Sequence, residues 1–356
     1  HILERCARSV PWRKSRSDER GDYVRLAMDV VVLAGGFGTR LRPWTDSMPK
    51  PLLPILDKSM IEHVGAVLPE SLVDRVLIAA GYGIDQMREY FSTLSLPYEM
   101  VIVEETEPLG TGGAIANCKD HLSGGTFCVI NGDLITSLRV EEMLEVHNAN
   151  EGIATISLWE VEDPSRFGVA DFDPEEGKIR RFQEKPPREE AYSNLINAGT
   201  YILEPDIFKL MPEGAHSIER DVYEDLAEIG GLNGFPFEGW FVDAGTSASY
   251  IEAAQVCIAN DRFSSGTVEG DSWFGGDTDI GGEVSGSVIG AGTGIGEGAS
   301  VRNSVVLGGA TIGEGAKVDR CLVGPQMPSG APSQAWRSWN REHHRSRQRL
   351  PASSVP

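Results

Sequence analysis

Residues 33 to 43 read Leu33-Ala34-Gly35-Gly36-Phe37-Gly38-Thr39-Arg40-Leu41-Arg42-Pro43, and Pro49-Lys50-Pro51 follows shortly afterwards. The run at 29–34 is apolar and rich in β-branched side chains, which predicts a buried parallel strand. The glycines let the backbone approach a ligand and point its N–H groups at anionic oxygens, and Arg40 and Lys50 add cations suited to phosphate. The pattern therefore predicts a nucleoside triphosphate site that contains Leu33, Ala34, Gly35, Gly36, Gly38, Thr39, Arg40 and Lys50.

Two commoner phosphate-binding patterns are absent. The spacing is not that of the dinucleotide pattern G-x-G-x-x-G, and G-x-x-x-x-G-K-[ST] occurs nowhere in the chain. An ordinary strand-to-loop turn with a solvated arginine is the plainer alternative, and it would be favoured for a bare Gly-Gly-x-Gly. The two cations and the flanking prolines favour the functional interpretation instead.

Two aspartates follow apolar segments farther along the chain. Asp133 comes after the predicted strand 126–130, in Asn131-Gly132-Asp133, and Asp243 lies in Trp240-Phe241-Val242-Asp243-Ala244-Gly245. A carboxylate at the carboxyl end of such a strand lies in the ligand crevice, although Asn-Gly-Asp is also a common turn. Nucleotide-bound Mg²⁺ takes only one or two protein carboxylates, so the pair predicts a magnesium site.

Composition restricts the class of protein. The chain has 356 residues, 40% of them hydrophobic, and no apolar run of membrane-spanning length, which predicts a soluble protein that does not bind membranes. Its five cysteines are scattered without C-x-x-C, which predicts a reducing, cytoplasmic location. The net charge of −21 argues against nucleic acid as a partner and is of the kind that a halophilic cytoplasm favours.

The pattern from Met28 onward alternates between strand-like and helix-like segments, which predicts an α/β domain with a Rossmann-like mixed sheet. We expect Ser59 and Thr111 to cap two of its helices and the helix 247–261 to close it. An antiparallel insertion is expected over the ligand. The predicted catalytic domain spans 28–262.

A 17-residue repeat begins at Val284, and its apolar positions are 284, 289, 295, 301, 306, 312, 318 and 323. One inward aliphatic on each of three short faces predicts a triangular parallel β-helix over 263–325. No histidine lies between His216 and His343, so acyltransferase chemistry is not expected. We expect the module to mediate oligomerisation or to cap the domain. Truncation near Asp279 is expected to leave nucleotide binding largely intact but to change oligomeric state or solubility.

Both ends of the chain depart from these patterns. Residues 1–27 are basic and aperiodic, and we interpret them as a non-native or disordered extension, with Met28 as the preferred initiator. The third coil starts at Val318 and then loses the period, because Ser329 stands where an aliphatic residue is expected. We therefore expect 326–356 to be irregular, disordered or frame-shifted.

The chain resembles the sugar-phosphate nucleotidyltransferases, or NDP-sugar pyrophosphorylases, whose signature is close to G-G-x-G-T-R-L-x-P-x-T followed by P-K-P. The resemblance continues to about Ala254, and the repeat resembles the left-handed hexapeptide β-helix appended to many such enzymes. Within the family, the stretches 217–222 and 235–245 are most similar to mannose-1-phosphate guanylyltransferases. The matching signature residues are Gly35, Gly36, Gly38, Thr39, Arg40, Leu41, Pro43, Thr45, Pro49, Lys50 and Pro51.

The resemblance implies a role for each motif residue. The family's metal-holding aspartates correspond to Asp133 and Asp243, which join Arg40 and Lys50 as the implied catalytic set. Its E-K-P element corresponds to Glu184 and Lys185, which would contact the sugar hydroxyls and the sugar phosphate. The other implied sugar contacts are Gly168, from F-G-V, and Asn197, from N-A-G-x-Y; the implied nucleobase contacts are Gly81, Gly110 and Thr111.

The implied reaction joins a nucleoside triphosphate to a sugar 1-phosphate with Mg²⁺, giving an NDP-sugar and pyrophosphate, and GTP with mannose 1-phosphate is the leading pair. A UTP- or dTTP-dependent glucose-1-phosphate enzyme is the near alternative, because motifs do not report the shape of the base pocket. A non-catalytic regulatory subunit would be expected to lose charged site residues, and a metal-dependent glycosyltransferase would usually show D-x-D. A homo-oligomer is also implied.

Overall fold

The computed structural model describes residues 28–325. The predictions for 1–27 and 326–356 lie outside the described residues. The first part of the described chain is an α/β domain. Its strands are β1 Met28–Leu33, β2 Pro54–Ile55, β3 Lys58–Ser59, β4 Val73–Ala80, β5 Glu99–Glu104, β6 Phe127–Asn131, β7 Leu134–Thr136, β8 Ala154–Glu160, β9 Gly168–Asp173, β10 Lys178–Glu184, β11 Leu195–Leu203, β12 Leu232–Pro236 and β13 Phe241–Asp243.

Six α-helices lie between or after these strands in the described part of the chain. Ser59 caps the first helix through a capping box with Glu62, as predicted. None of the helices within 28–325 has the length and apolar character that crossing a membrane requires. The helices are α1 Met60–Gly65, α2 Ile84–Phe91, α3 Gly110–Asn117, α4 Val140–Ala149, α5 Glu224–Glu228 and α6 Ser247–Ala259.

Nine strands form one mixed sheet in the order β5-β4-β1-β6-β11-β8-β12-β10-β9. The half β5-β4-β1-β6 is parallel, and β11 is antiparallel to both β6 and β8. The expected antiparallel region is present, and its strands β9, β10 and β11 extend the main sheet. Its position over a ligand stays a prediction. Both faces of β1 are buried, since Val31 packs in one hydrophobic cluster and Val30 and Val32 pack in the other.

The repeat folds as a triangular parallel β-helix, as its period predicts. Three sheets of stacked parallel strands run along it, one of them extended by an antiparallel strand at 267–269, and Val288, Val305 and Leu322 pair at the same position of successive coils. The predicted inward positions, from Ile289 to Val323, form a hydrophobic cluster inside the coils. Its strands are β14 Thr267–Glu269, β15 Ser272–Phe274, β16 Asp279–Ile280, β17 Glu283–Ser285, β18 Val288–Ile289, β19 Gly294–Ile295, β20 Ser300–Arg302, β21 Val305–Val306, β22 Thr311–Ile312, β23 Lys317–Asp319 and β24 Leu322–Val323.

Candidate active site

The glycine-rich turn leaves the sheet at the carboxyl end of β1. Gly38 adopts a left-handed conformation at φ 60°, and its carbonyl accepts hydrogen bonds from Leu41 N at 2.8 Å and Thr45 Oγ1 at 2.9 Å. Leu41 is fully buried, whereas Arg40 is exposed. The buried leucine thus anchors the short helical turn and leaves the neighbouring guanidinium free to face a ligand.

The two predicted metal carboxylates lie side by side. Strands β7 and β13 pair so that Asp243 is opposite Leu134, and Ala244 N donates to the carbonyl of Asp133 at 2.9 Å. The Lys50 ammonium forms an ion pair with the Asp133 carboxylate. A Cβ atom on Gly245 would lie within 3 Å of both the Asp243 carboxylate and the Arg40 guanidinium, at 2.7 and 2.9 Å. The four residues of the implied catalytic set therefore converge.

Asp243 has an unusual electrostatic environment. Its Oδ1 is buried and accepts no hydrogen bond from the described residues. Burial raises the pKa of Asp243, and the negative charge of Asp133 raises it further, whereas Lys50 and Arg40 oppose the rise. Burial and the neighbouring Asp133 thus disfavour the charged form of Asp243, and a bound cation would relieve both effects.

The predicted sugar-binding residues meet on β9, β10 and β11. Glu184 pairs across the strands with Gly168, and a Cβ atom on this glycine would lie 3.0 Å from Glu184 Oε2. Lys185 follows β10 with an exposed side chain that forms an ion pair with Glu184. Asn197 donates from Nδ2 to the Tyr201 hydroxyl at 3.0 Å.

The sugar side joins the aspartate pair through β6. A Cβ atom on Gly199, two residues after Asn197, would lie 2.5 Å from Asn131 Nδ2 at the end of β6. Gly132 N in turn donates to the Leu33 carbonyl at 2.9 Å. The sugar-side residues and the glycine-rich turn are therefore linked through the end of β6, although no direct contact joins Lys185 to Arg40.

The prediction that Thr111 caps its helix was wrong. Helix α3 begins at Gly110, and two N–H groups of its first turn, those of Gly112 and Gly113, donate to the His216 carbonyl at 3.0 and 3.3 Å. Since a distant backbone carbonyl satisfies the helix end, the Thr111 hydroxyl is free to donate to Glu219 Oε2 at 2.6 Å.

Glu105 is a candidate functional residue that the sequence patterns missed. It follows β5 directly, is 8% exposed, and its Oε1 has no hydrogen-bond partner among residues 28–325. A Cβ atom on Gly35 would overlap its carboxylate, and one on Gly81 would lie 3.2 Å from its carbonyl. Burial raises the pKa of Glu105, and the Leu109 N–H partly opposes this. The sequence contained one signal for Glu105: like Asp133, it lies near the carboxyl end of a predicted parallel strand.

Comparison with known proteins agrees with this geometry. A family model described as nucleotidyl transferase matches residues 29–259, and one described as GlmU-like, C-terminal hexapeptide matches 256–330. Mannose-1-phosphate guanylyltransferase 1 of Arabidopsis thaliana is 36% identical over 65% of this chain. The corresponding catalytic subunit beta of Dictyostelium discoideum is 36% identical over 63%. The aligned part spans 65% and 63% of the length of these two relatives.

Solved structures give the same result. A putative glucose-1-phosphate thymidylyltransferase from Bacillus anthracis superposes with a TM-score of 0.58 at 28% identity, over 68% of this chain and 98% of that chain. A UDP-glucose pyrophosphorylase complexed with UDP-glucose superposes with a TM-score of 0.58 at 25% identity, over 66% and 99%. The glycine-rich turn, the paired aspartates and the sequence match over most of the α/β domain together show that the chain belongs to the nucleotidyl transferase family.

Proposed function

We propose that this chain is a sugar-1-phosphate nucleotidyltransferase that uses GTP and mannose 1-phosphate, releasing pyrophosphate and GDP-mannose. The convergence of the phosphate-binding cations and the paired aspartates, and their link through β6 to the sugar-side polar residues, supports the reaction class. The relatives named as mannose-1-phosphate guanylyltransferases support the choice of sugar. Homo-oligomer formation and a cytoplasmic location remain predictions.

The buried Glu105 carboxylate is the observation that carries the choice of guanine. Guanine presents its N1–H and its N2 amino group side by side, and the two oxygens of a carboxylate accept both. Uracil and thymine present a single N–H between two carbonyl oxygens, which a second carboxylate oxygen repels. A carboxylate without a full set of donors beside the glycine-rich turn therefore favours guanine over the pyrimidines.

The reaction requires positioning and charge stabilisation more than acid–base chemistry. A phosphate oxygen of the sugar phosphate is already nucleophilic at neutral pH; it forms a bond to the α-phosphorus while the bond to the departing pyrophosphate oxygen breaks. Arg40 and the backbone amides of 35–39 would hold the β- and γ-phosphates. Lys50 would neutralise developing charge at the transferred phosphoryl group, and Lys185 would hold the sugar phosphate.

Asp133 and Asp243 fit a magnesium ion. The orphaned Asp243 oxygen supplies a free ligand, and two carboxylates match the small number of protein ligands that nucleotide-bound Mg²⁺ takes. When bound, the ion would supply positive charge beside the α-phosphate. Asp133 would then exchange its ion pair with Lys50 for the metal, which leaves the ammonium available to phosphate.

Two alternatives are distinguishable by substrate. The solved thymidylyltransferase and UDP-glucose pyrophosphorylase favour testing dTTP and UTP with glucose 1-phosphate. A non-catalytic regulatory subunit would turn over no pair, but the retained charges of Arg40, Lys50 and the aspartate pair argue against it.

A pyrophosphate-release assay with Mg²⁺, over several nucleoside triphosphates and sugar 1-phosphates, tests the proposal. We expect the highest kcat/KM for GTP with mannose 1-phosphate. Glu105→Gln should lower kcat/KM for GTP about ten-fold or more, because a hydrogen bond to a charged group is lost, and should narrow the gap to UTP. The exposed neighbour Glu104→Gln is the matched control and should leave the preference unchanged. Preference of the unaltered protein for a pyrimidine nucleotide would contradict the assignment.

A further inference from the structure

The stretch 217–222 contains a buried carboxylate that the proposed reaction does not use. Glu219 is 9% exposed and begins the π-helical turn Glu219–Tyr223. Its Oε2 accepts hydrogen bonds from the hydroxyls of Thr111 and Ser217, each at 2.6 Å. Its Oε1 accepts from the Tyr201 hydroxyl at 3.4 Å. Three hydroxyl donors from three parts of the chain therefore meet at one side chain.

One of these contacts leads to the nucleotide side of the candidate site. Thr111 lies in the first turn of α3, next to Gly110, and both are predicted to border the nucleobase. The Thr111 hydroxyl also accepts from Ile218 N at 3.1 Å, so its donor direction toward Glu219 is fixed. Helix α3 is thus tied to the segment 216–219 by this side chain and by the His216 carbonyl.

The other contact leads to the sugar side. The Tyr201 hydroxyl accepts from Asn197 Nδ2 at 3.0 Å and donates to Glu219. Tyr201 is fully buried and stacks edge-on with Tyr223, which in turn contacts Phe182. The ring has no freedom to follow a displaced partner, so the hydroxyl transmits the position of Glu219 to the Asn197 amide.

We propose that Glu219 is a positioning residue that couples the nucleotide half-site to the sugar half-site through Thr111 on one side and Tyr201 with Asn197 on the other. This rests on the proposed function, because it assumes that the two substrates occupy those halves. Glu219 holds the two halves at a fixed separation, so that either substrate, by ordering its own half, makes the other half ready to bind.

The chemistry of a carboxylate is essential to this role. In Glu219→Gln one oxygen becomes an NH₂ group of nearly the same size. If the amide nitrogen faces Tyr201, the phenolic oxygen meets two donors and its proton loses its acceptor; if it faces Thr111, the same happens there. In either orientation one of the two hydrogen bonds, to Thr111 or to Tyr201, is lost, while the volume of the side chain is preserved.

The test measures the binding of each ligand alone and in the presence of the other by calorimetry. GTP with a methylene bridge between the α- and β-phosphorus is used with mannose 1-phosphate, so that no transfer occurs. In the unaltered protein we expect each ligand to tighten the other. In Glu219→Gln we expect this mutual tightening to fall about ten-fold, and both KM values to rise together in the turnover assay.

Glu204→Gln is the matched control. The Glu204 carboxylate, directly after β11, likewise accepts from a hydroxyl, that of Thr126 at 2.8 Å, and from His147 Nε2 at 3.1 Å, but it lies at the opposite end of the strand from Asn197. We expect this variant to lower the melting temperature and to leave mutual tightening unchanged. If Glu219 had a merely structural role, Glu219→Gln would likewise lower the melting temperature and leave mutual tightening unchanged.

A folded Glu219→Gln protein with undiminished mutual tightening would overturn the proposal. If that variant does not fold, Tyr201→Phe replaces it, because this change removes only the hydroxyl that joins Asn197 to Glu219. Undiminished mutual tightening in Tyr201→Phe would equally overturn the proposal. Failure of the proposed function is distinct: the unaltered protein would then turn over another substrate pair, and the coupling is measured with that pair.

Discussion

The carboxylates of Asp133 and Asp243 show how one residue's environment limits what it can do. A buried carboxylate oxygen without a donor costs free energy, and the adjacent negative charge adds to that cost. Lys50 and Arg40 offset only part of it. Such an arrangement is unfavourable for folding alone, and it supports the proposal that the two aspartates hold a divalent cation.

We expect Asp133→Asn and Asp243→Asn each to lower turnover on the order of 10²-fold, because charge stabilisation by a bound metal is worth several kcal/mol. Mg²⁺ binding, followed by calorimetry in the presence of nucleotide, should weaken in parallel. Asp171→Asn, which removes only an ion pair with Arg181 on β9 and β10, is the control. Near-normal turnover in either folded aspartate variant would remove that residue from the site.

The two exposed cations should act on different substrates. Arg40→Ala should weaken binding of the nucleoside triphosphate, and Lys185→Ala should raise the KM for sugar 1-phosphate. Each effect should be roughly ten- to hundred-fold, because a charge-assisted hydrogen bond is lost. Arg42→Ala, an exposed neighbour that pairs with Asp46, is the control for charge alone. If both variants weakened binding of the same substrate equally, the assignment of two separate pockets would be wrong.

At the scale of the element, β11 is interrupted where it approaches Asn131 at the end of β6. Its pairing with β8 shifts between Asn197 and Tyr201, and Gly199 adopts φ 72° within the interruption. The Asn197 side chain accepts from Gly199 N at 2.9 Å. The irregularity thus directs Asn197 toward the sugar side and brings the backbone close to Asn131.

Gly199→Ala should therefore be costly. Its φ is unfavourable for any side chain, and its Cβ would lie 2.5 Å from Asn131 Nδ2. Gly230→Ala is a matched control, because Gly230 has the same φ of 72° but nothing within 4 Å of the added atom. We expect Gly230→Ala to cost about 1 kcal/mol, measured by denaturant unfolding, and Gly199→Ala clearly more, with a raised KM for sugar phosphate. Equal losses would mean that the contact with Asn131 is unimportant.

At the scale of the whole molecule, the β-helix shares a hydrophobic core with the catalytic domain. Val288, Val305 and Leu322, one in each coil, pack in the same buried cluster as Leu41, Ile55 and Tyr250. Trp44, three residues after Leu41, contacts Gly324 closely. The coils therefore support the segment that carries Arg40, and the expectation that truncation leaves nucleotide binding intact needs revision.

We now expect truncation before Asp279 to lower the melting temperature and to weaken GTP binding, because Leu41 and its neighbours lose their cover. Val305→Ser and Val306→Ser separate the two surfaces of one coil, since Val305 packs toward the catalytic domain and Val306 packs inside the coils. The first should impair GTP binding more than the second, as measured by calorimetry and thermal unfolding. A truncated chain with unchanged melting temperature and GTP affinity would contradict this support role.

Local sequence patterns were sufficient for the features that local physics controls. The apolar run before Gly35 predicted a buried strand, Ser59 predicted a helix start, and the 17-residue period predicted stacked coils. Each rests on residues close together in the chain or on a regular repeat, so a short window of sequence contains the cause.

Contacts between distant residues depended on the tertiary structure. The Thr111 prediction failed because a carbonyl more than a hundred residues away caps its helix, and Glu105 escaped notice because only the folded sheet places it beside Gly35 and Gly81. The shared core of the β-helix and the catalytic domain likewise joins residues that no window spans. Such pairings depend on how the sheet orders its strands, and that order is a property of the packed molecule.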